Sequence, residues 1–384
     1  MKRFGGWRAR TDAGRAEVPP RSTLWERTPE TAAKHQVLRG YLNAWFPIMG
    51  TKNERIALID GFAGPGRYQG GEPGSPLIML ESLLHHRALS TITAEVVFVF
   101  IEESVERAAN LRSELEAIAR PKNVTVEVAE GLFHELVGPL LDDIERKGRR
   151  LAPTFAFIDP FGYEDNRLEL SSRILGFERC EVLMYVPLPH IARFLNAATV
   201  PAEALDRLFG DDRWRTAQGR RSSAESQRAL HNLLRDRIGE YCKYVRSFEI
   251  VGSKANTGAH LFFGTHHQTG LARMKDSMWR ADPAGGARFR DSTRAGQMAL
   301  FDKKPDLELL EQLLRGHFGS AAFGIQEAVD YVVVDTPFLE AHIRRATLSP
   351  AEKEGRLEIV TAPAGRKRGT YPPETRMRFA EPKA

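Results

Sequence analysis

The residues best suited to chemistry in this chain stand where apolar runs end. Ile56-Ala57-Leu58-Ile59 runs into Asp60-Gly61-Phe62-Ala63-Gly64-Pro65-Gly66, an acid followed by closely spaced glycines. An acid closing a buried strand, with glycines after it, makes a tight turn that lets a nucleotide-like cofactor approach the backbone. Asp60, Gly61, Phe62, Gly64 and Gly66 are therefore candidate cofactor contacts. No Gly-Lys-Ser/Thr follows, which excludes a P-loop, and Gln69 stands where a dinucleotide fingerprint would place its third glycine. The alternative is a tight turn and nothing more.

A second run, Val96-Val97-Phe98-Val99-Phe100-Ile101, is uninterrupted, as expected of a parallel strand buried on both faces, and it ends at Glu102. An acid there accepts hydrogen bonds from ribose hydroxyls. The competing role is a helix start, with Glu102, Glu103 and Glu106 favouring the positive helix end. Part of the long gap between glycine loop and acid is a Gly-rich insertion, Arg67–Gly74, ended by Ser75 as N-cap and Pro76 at the first helical position. A third run, Thr154–Ile158, leads into Asp159-Pro160-Phe161-Gly162.

Two of these stretches resemble motifs of S-adenosylmethionine-dependent methyltransferases. Asp60–Gly66 is similar to their first motif, and Asp159-Pro160-Phe161 resembles the D-P-P-Y type motif of enzymes acting on exocyclic amines, with Phe161 in place of the second proline. That chemistry needs a carbonyl and a side-chain oxygen to accept hydrogens from a planar amine, a proline to stiffen the turn, and an aromatic ring to stack on the base. An Asp-Pro turn that merely closes a strand is the alternative. On the methyltransferase reading Asp60, Gly64 and Gly66 hold the amino-acid end of S-adenosylmethionine, Glu102 the ribose, and Glu130-Gly131 lies near the adenine. Asp159, Pro160 and Phe161 face the acceptor amine. Lys34 and His35 have no partner nearby in sequence and read as a surface pair, with His35 also a candidate base, since imidazole titrates near neutrality.

The elements that must position these groups alternate. A helix over 30–49 carries Leu38, Tyr41, Leu42, Trp45 and Phe46 at helical spacing, and strand and helix signals then alternate from Ile56 to Val186. This predicts a Rossmann-like, doubly wound, mostly parallel α/β sheet of methyltransferase type, spanning 30–283, with a helical insertion at about 200–240. Phe248–Val251 and Ala259–Thr265 supply the pair of strands that closes it. Ahead of it, residues 1–29 form a basic arm rich in Pro, Gly and Arg; behind it, 284–303 reads as a linker. Residues 304–384 then give helices over Pro305–His317 and Ile325–Val334, a third opened by Thr336-Pro337, and a hairpin of Leu357–Val360 and Met377–Phe379. Three helices and a basic hairpin describe a winged-helix domain, with Arg344 and Arg345 on the recognition helix and Arg366, Lys367 and Arg368 on the wing, all candidate nucleic-acid contacts.

Composition bounds the rest. A chain of 384 residues with 42% hydrophobic and 27% charged residues is long enough for one large core and an accessory domain. No apolar stretch approaches the roughly 20 residues a membrane helix needs, and Met1–Trp7 has no apolar signal core, so a cytoplasmic location is expected. Cys180 and Cys242 suggest neither a disulfide framework nor a zinc site, and no metal is expected. The formal charge of +5 is mild, so its distribution matters more than its sum.

Taken in order, Thr31 to Lys34-His35, Tyr41–Pro47, Asp60–Gly66, Gly71–Leu77, Phe157–Gly162 and Phe262–Thr265 resemble the three-Cys-motif partner protein family (TcmP) over nearly the whole chain. The resemblance implies a bacterial protein working beside a radical-SAM partner that carries the three cysteines. Two functions stay open: an S-adenosylmethionine-dependent methyltransferase acting on nucleic acid, expected to be DNA, or a non-catalytic adaptor that presents nucleic acid to the radical-SAM partner. A nuclease is disfavoured, because no D-x-n-E-x-K type metal constellation stands at a strand end.

Overall fold

The computed structural model describes residues 22–197, 200–251, 258–281, 288–290 and 305–380. The alternation read from the sequence becomes one eight-stranded sheet. Its strands are β1 (Arg55–Asp60), β2 (Glu95–Glu102), β3 (Val124–Glu130), β4 (Thr154–Ile158), β5 (Glu181–Val186), β6 (Tyr244–Val251), β7 (Gly258–Thr265) and β8 (Arg288–Arg290), in the spatial order β3-β2-β1-β4-β5-β7-β6-β8. β1 to β5 are parallel and only β7 is reversed, antiparallel to both β5 and β6. The strand order runs outward in opposite directions from β1 and β4, which makes their carboxyl ends the switch point of the sheet.

Helices cover both faces. α1 (Pro29–Gly50), α2 (Ser75–Leu84), α3 (Val105–Glu116) and α9 (Gln268–Ala281) lie on one; α4 (Phe133–Arg146), α5 (Leu168–Leu175), α6 (Leu188–Phe194), α7 (Ala202–Phe209) and α8 (Ser223–Gly239) lie on the other. The strands read as unbroken apolar runs because alternate residues feed different cores: Phe155 and Phe157 pack with α1, while Ala156 and Ile158 pack with α4 and α5. All four are essentially inaccessible to solvent. Truncating Phe155 to Ala would cost about 3 to 5 kcal/mol through lost transfer energy and the cavity left behind. Both cysteines are buried free thiols whose pKa burial pushes up to about 11.

Several expectations are corrected. The stretch read as a linker contains β8, which pairs parallel to β6; the remaining linker residues lie outside the described ones. Gly74, not Ser75, is the N-cap residue of α2. Residues 1–21 of the basic arm lie outside the described residues, and 22–28 are mostly exposed, with Trp25 partly buried against the loop that follows β1.

The carboxyl-terminal region comprises α10 (Leu307–Phe318), β9 (Phe323–Gly324), α11 (Ile325–Asp335), α12 (Ser349–Lys353), β10 (Leu357–Thr361) and β11 (Arg376–Phe379), with an antiparallel sheet in the order β10-β11-β9. Thr336 does not open a helix: its hydroxyl donates back to the Val332 carbonyl at 2.8 Å and accepts the Phe338 N–H at 3.2 Å, so it closes α11. The chain resumes helical form only at Glu340, through a 3-10 turn and a π turn leading into α12. This region shares its core with α9, because Leu271 and Trp279 belong to the same apolar cluster as Leu310, Val332 and Phe379. Lys275 of α9 clamps the join. Its ammonium donates to the carbonyls of Val332, Val333 and Thr336 at 2.7, 2.9 and 2.9 Å, satisfying groups that the end of α11 would otherwise leave orphaned. No described helix is long and apolar enough to cross a membrane.

Candidate functional site

Local geometry at the end of β1 explains the glycines. Gly64 and Gly66 have φ of 65° and 94°, in the left-handed region that side chains avoid. Gly61 serves packing instead: its N–H donates to the Phe157 carbonyl at 2.9 Å, and a Cβ there would come within 2.8 Å of the Phe133 ring. Asp60, fully buried, accepts the Phe62 N–H at 3.2 Å through Oδ1, while Oδ2 has no hydrogen-bond partner. Burial, with the Asp159 and Glu102 carboxylates nearby, pushes the Asp60 carboxyl up to about 7.

Glu102 is the last residue of β2 and turns toward that loop. Its carboxylate accepts the N–H groups of Gly64 and Ser104, both at 2.9 Å, and lies 3.8 Å from the Arg107 guanidinium. Burial raises its pKa. The helix-start role belongs to Ser104, whose hydroxyl caps α3. Glu130, paired with Glu102 across β2 and β3, ends its strand half-exposed and bonded to Arg112 at 3.4 Å, away from the cavity described next.

A cavity of about 360 Å³ opens at the switch point. Phe62, Gly64 and Gly66 form one wall and Asp159, Pro160 and Phe161 the facing one, so two sequence motifs nearly a hundred residues apart share one space. Thr28, Thr31 and Lys34, from α1 and its approach, close a third side, and Arg67, Tyr68 and Ser75 complete the rim. Lys34 is not a surface residue. It is 7% exposed, its ammonium donates to both Asp159 carboxylate oxygens at 2.9 and 2.7 Å, and it lies 4.0 Å from the centre of the Tyr185 ring. The pair fixes the direction of the Asp159 carboxylate at the wall of the cavity.

His35 is likewise buried but does not line the cavity; its ring lies 5.7 Å from that of Tyr68 and its Nδ1 has no hydrogen-bond partner. Burial first, then the positive charges of Lys34, Arg27 and Arg39, lower its pKa to about 3. An imidazole so hard to protonate, and outside the cavity lining, is a poor base for an acceptor held there.

Trp25 is the contributor that the sequence did not reveal. Its carbonyl accepts the Gln69 N–H at 2.8 Å, and its indole lies against Gly64, where a Cβ would stand 3.5 Å away. The ring meets Phe161 edge-on at 5.2 Å and Tyr68 at 6.0 Å, with the Arg107 guanidinium 5.2 Å from its centre. Nothing in the basic arm marked this tryptophan. Lys34 did carry a signal: with Thr31 it continues the Leu38, Tyr41 stripe of α1 toward its amino end, and a lysine on a core stripe needs a buried partner.

The candidate nucleic-acid contacts lie apart from the cavity and are largely engaged. Arg366 is buried against Glu352, its guanidinium also facing the Tyr371 ring, and Glu352 further accepts from the Tyr371 hydroxyl and the Gly369 N–H at 3.0 Å each. Arg368 donates to the Glu352 and Lys353 carbonyls at 2.8 and 3.1 Å, and Arg344 to Glu340 at 2.6 Å. Of the five, Lys367, Arg345 and Arg368 are exposed without an ion pair among the described residues, Arg368 being bonded to carbonyls instead. Arg366 is thus a structural residue and not a phosphate contact.

No protein-family model matches the sequence, and no curated protein matches it. Among solved structures, the chain is similar to protein LPL1258 from Legionella pneumophila (14% identity, 65% of this chain and 90% of that one, TM-score 0.40). It is also similar to Trm1 from Pyrococcus horikoshii in complex with S-adenosyl-L-methionine (13% identity, 95% of each chain, TM-score 0.37) and to an O-methyltransferase from Bacillus cereus in complex with SAH (16% identity, 62% and 82%, TM-score 0.31). At these identities and scores, function has to be read from the chain's own residues.

Proposed function

We propose that this chain binds S-adenosylmethionine at the glycine loop and methylates an exocyclic amine of a nucleobase. The observation that carries the reading is the single cavity that joins the Gly64–Gly66 turn to Asp159-Pro160-Phe161 at the switch point of the sheet. Three features support the fit: two left-handed glycines make the turn and line the cavity, Glu102, buried at the end of β2, accepts the Gly64 N–H and braces that turn, and Asp60 holds an unpartnered carboxyl oxygen behind the loop. Bound there, S-adenosylmethionine supplies an electrophilic methyl group.

The chain's own residues act on the acceptor. Asp159, held by Lys34, and the Pro160 carbonyl accept the hydrogens of a planar amine, which turns its lone pair out of conjugation with the ring. Phe161 and Trp25 offer faces and edges against which a flipped base stacks, and the rigid proline turn fixes its distance from the loop. Calorimetry with S-adenosylmethionine and S-adenosylhomocysteine, followed by mass spectrometry of nucleosides after incubation with labelled cofactor, tests this. Asp159→Ala is expected to abolish transfer while S-adenosylhomocysteine still binds. Full transfer in that variant, or methyl groups found only on protein, would refute it.

A second reading is favoured by Trp25, whose ring lies in the crook of the loop: an adaptor that presents nucleic acid without transferring a methyl group. Absence of cofactor binding in both wild type and Trp25→Ala would establish it. The helix-strand-helix-helix-strand-strand order of the carboxyl-terminal region supports a winged-helix reading. Membership of the three-Cys-motif partner family and pairing with a radical-SAM protein rest on the motif resemblance, and co-purification with such a protein tests them.

A further inference from the structure

We infer that the nucleic-acid strand docks on the helical insertion formed by α6, α7 and the start of α8, and not on the carboxyl-terminal hairpin. This rests on the nucleic-acid reading above and names the surface that would serve it. Between residues 193 and 228 the chain carries seven arginines and no lysine. Among the described residues, Arg213 alone of these has an ion pair, with Asp211 at 2.9 Å and Glu240 at 3.5 Å. Arg193, Arg207, Arg215, Arg220, Arg221 and Arg228 have none among the described residues, and all but the half-buried Arg207 are exposed.

The carboxylates of the same stretch are mostly committed elsewhere. Asp206 accepts the Trp214 indole N–H at 2.7 Å, Asp211 holds Arg213 and Arg237, and Glu225 accepts the Arg221 backbone N–H at 3.2 Å. Glu203 and Asp212 remain as exposed acids. Two guanidiniums are held against aromatic faces, Arg193 at 5.1 Å from the centre of the Phe194 ring and Arg215 at 4.5 Å from that of Trp214. A guanidinium so propped is extended before any ligand arrives, and its planar fork matches phosphate oxygens.

Topology puts this surface at the correct end of the molecule. α6 leaves the carboxyl end of β5 through Pro187, next to the strand end that carries Asp159. β6 runs in the same direction as β5, because each is antiparallel to β7. Since α8 feeds the start of β6, its own start, with Arg221 and Arg228, lies at the end of the sheet where the cavity opens. A strand lying across the insertion would present a base to Asp159-Pro160-Phe161.

The test is fluorescence anisotropy of labelled single-stranded RNA and DNA oligonucleotides across a salt series, with the full-length quadruple variant R193Q/R215Q/R220Q/R228Q. Each phosphate contact contributes about 0.7 to the slope of log K against log salt on single strands, so the variant is expected to lower the slope by about 3. An unchanged slope overturns the inference, as does a slope lost instead in K367A/R345A. S-adenosylhomocysteine calorimetry on the same samples separates the two readings: intact cofactor binding in the quadruple variant shows that its site is folded. Oligonucleotide binding that depends on these arginines supports the docking surface even where the cofactor reading fails. A wild-type chain that binds the cofactor but neither oligonucleotide overturns both the surface and the acceptor class.

Discussion

The basic hairpin turn and the helical insertion use arginine in opposite ways. Arg366-Lys367-Arg368 is the longest unbroken run of positive charge among the described residues, yet Arg366 is buried on Glu352 and Arg368 is bonded to the last carbonyls of α12. Residues 305–380 hold eleven carboxylates against ten lysines and arginines. In the insertion the arginines are spread from residue 193 to residue 228, and most are exposed with no ion pair among the described residues, although Arg220 also donates to the Thr216 carbonyl at 3.2 Å. Charge density along a sequence is therefore no measure of charge available to a ligand. What matters is whether a carboxylate or a carbonyl lies within reach in the fold.

The largest effect should come from breaking the hairpin's ion pair. Arg366→Ala leaves Glu352 buried without its cation, and a loss of about 3 to 5 kcal/mol in stability is expected from urea unfolding, with oligonucleotide affinity per folded molecule unchanged. A stable variant with weakened, less salt-dependent oligonucleotide binding would reverse the comparison. Next comes Asp60, a fully buried carboxyl. Its folded pKa, at about 7, exceeds the ordinary 3.8, so the folded chain keeps a proton that the unfolded chain releases. Stability from this group is complete below about pH 4 and is lost as pH rises through about 7. Asp60→Asn should remove that slope and stabilise the chain at pH 8 by on the order of 4 kcal/mol. A wild-type melting temperature that is flat from pH 4 to pH 8 would show the carboxyl to be ionised and paired.

Glu102→Ala should weaken cofactor binding by about 1 to 3 kcal/mol in calorimetry, through lost charge-assisted hydrogen bonds to ribose and a looser Gly64 turn. An unchanged affinity would reduce Glu102 to a support for the loop. The smallest effect sharpens the comparison directly. Single changes of Arg193, Arg220 or Arg228 to Ala should alter stability by less than about 0.5 kcal/mol, since these side chains pair with no carboxylate. A loss above about 1 kcal/mol in any of them would mean that the insertion, too, spends its arginines on the fold.

Much of the architecture was legible because strand and helix periodicity are local properties. Val96–Ile101 and Thr154–Ile158 are apolar on consecutive residues because the sheet is covered on both faces, and that alone called for a parallel α/β sheet. β9 and β8 escaped notice because two or three residues carry no period. The Asp60–Gly66 turn was readable since left-handed backbone demands glycine, and Asp159-Pro160-Phe161 since a proline turn at a strand end has a fixed shape.

The sequence by itself determined which strand ends carry acids, glycines and aromatics, because those choices answer to backbone geometry within a few residues. Only the tertiary structure decided which of these groups meet and which charges are neutralised. Lys34 reaches Asp159 across 125 residues, Trp25 reaches Phe161 across a still longer stretch of chain, and Arg366 is matched to Glu352 from a different element. Such pairs cost desolvation and are stable only where packing brings both partners together, and packing is a property of the whole chain and not of any window along it.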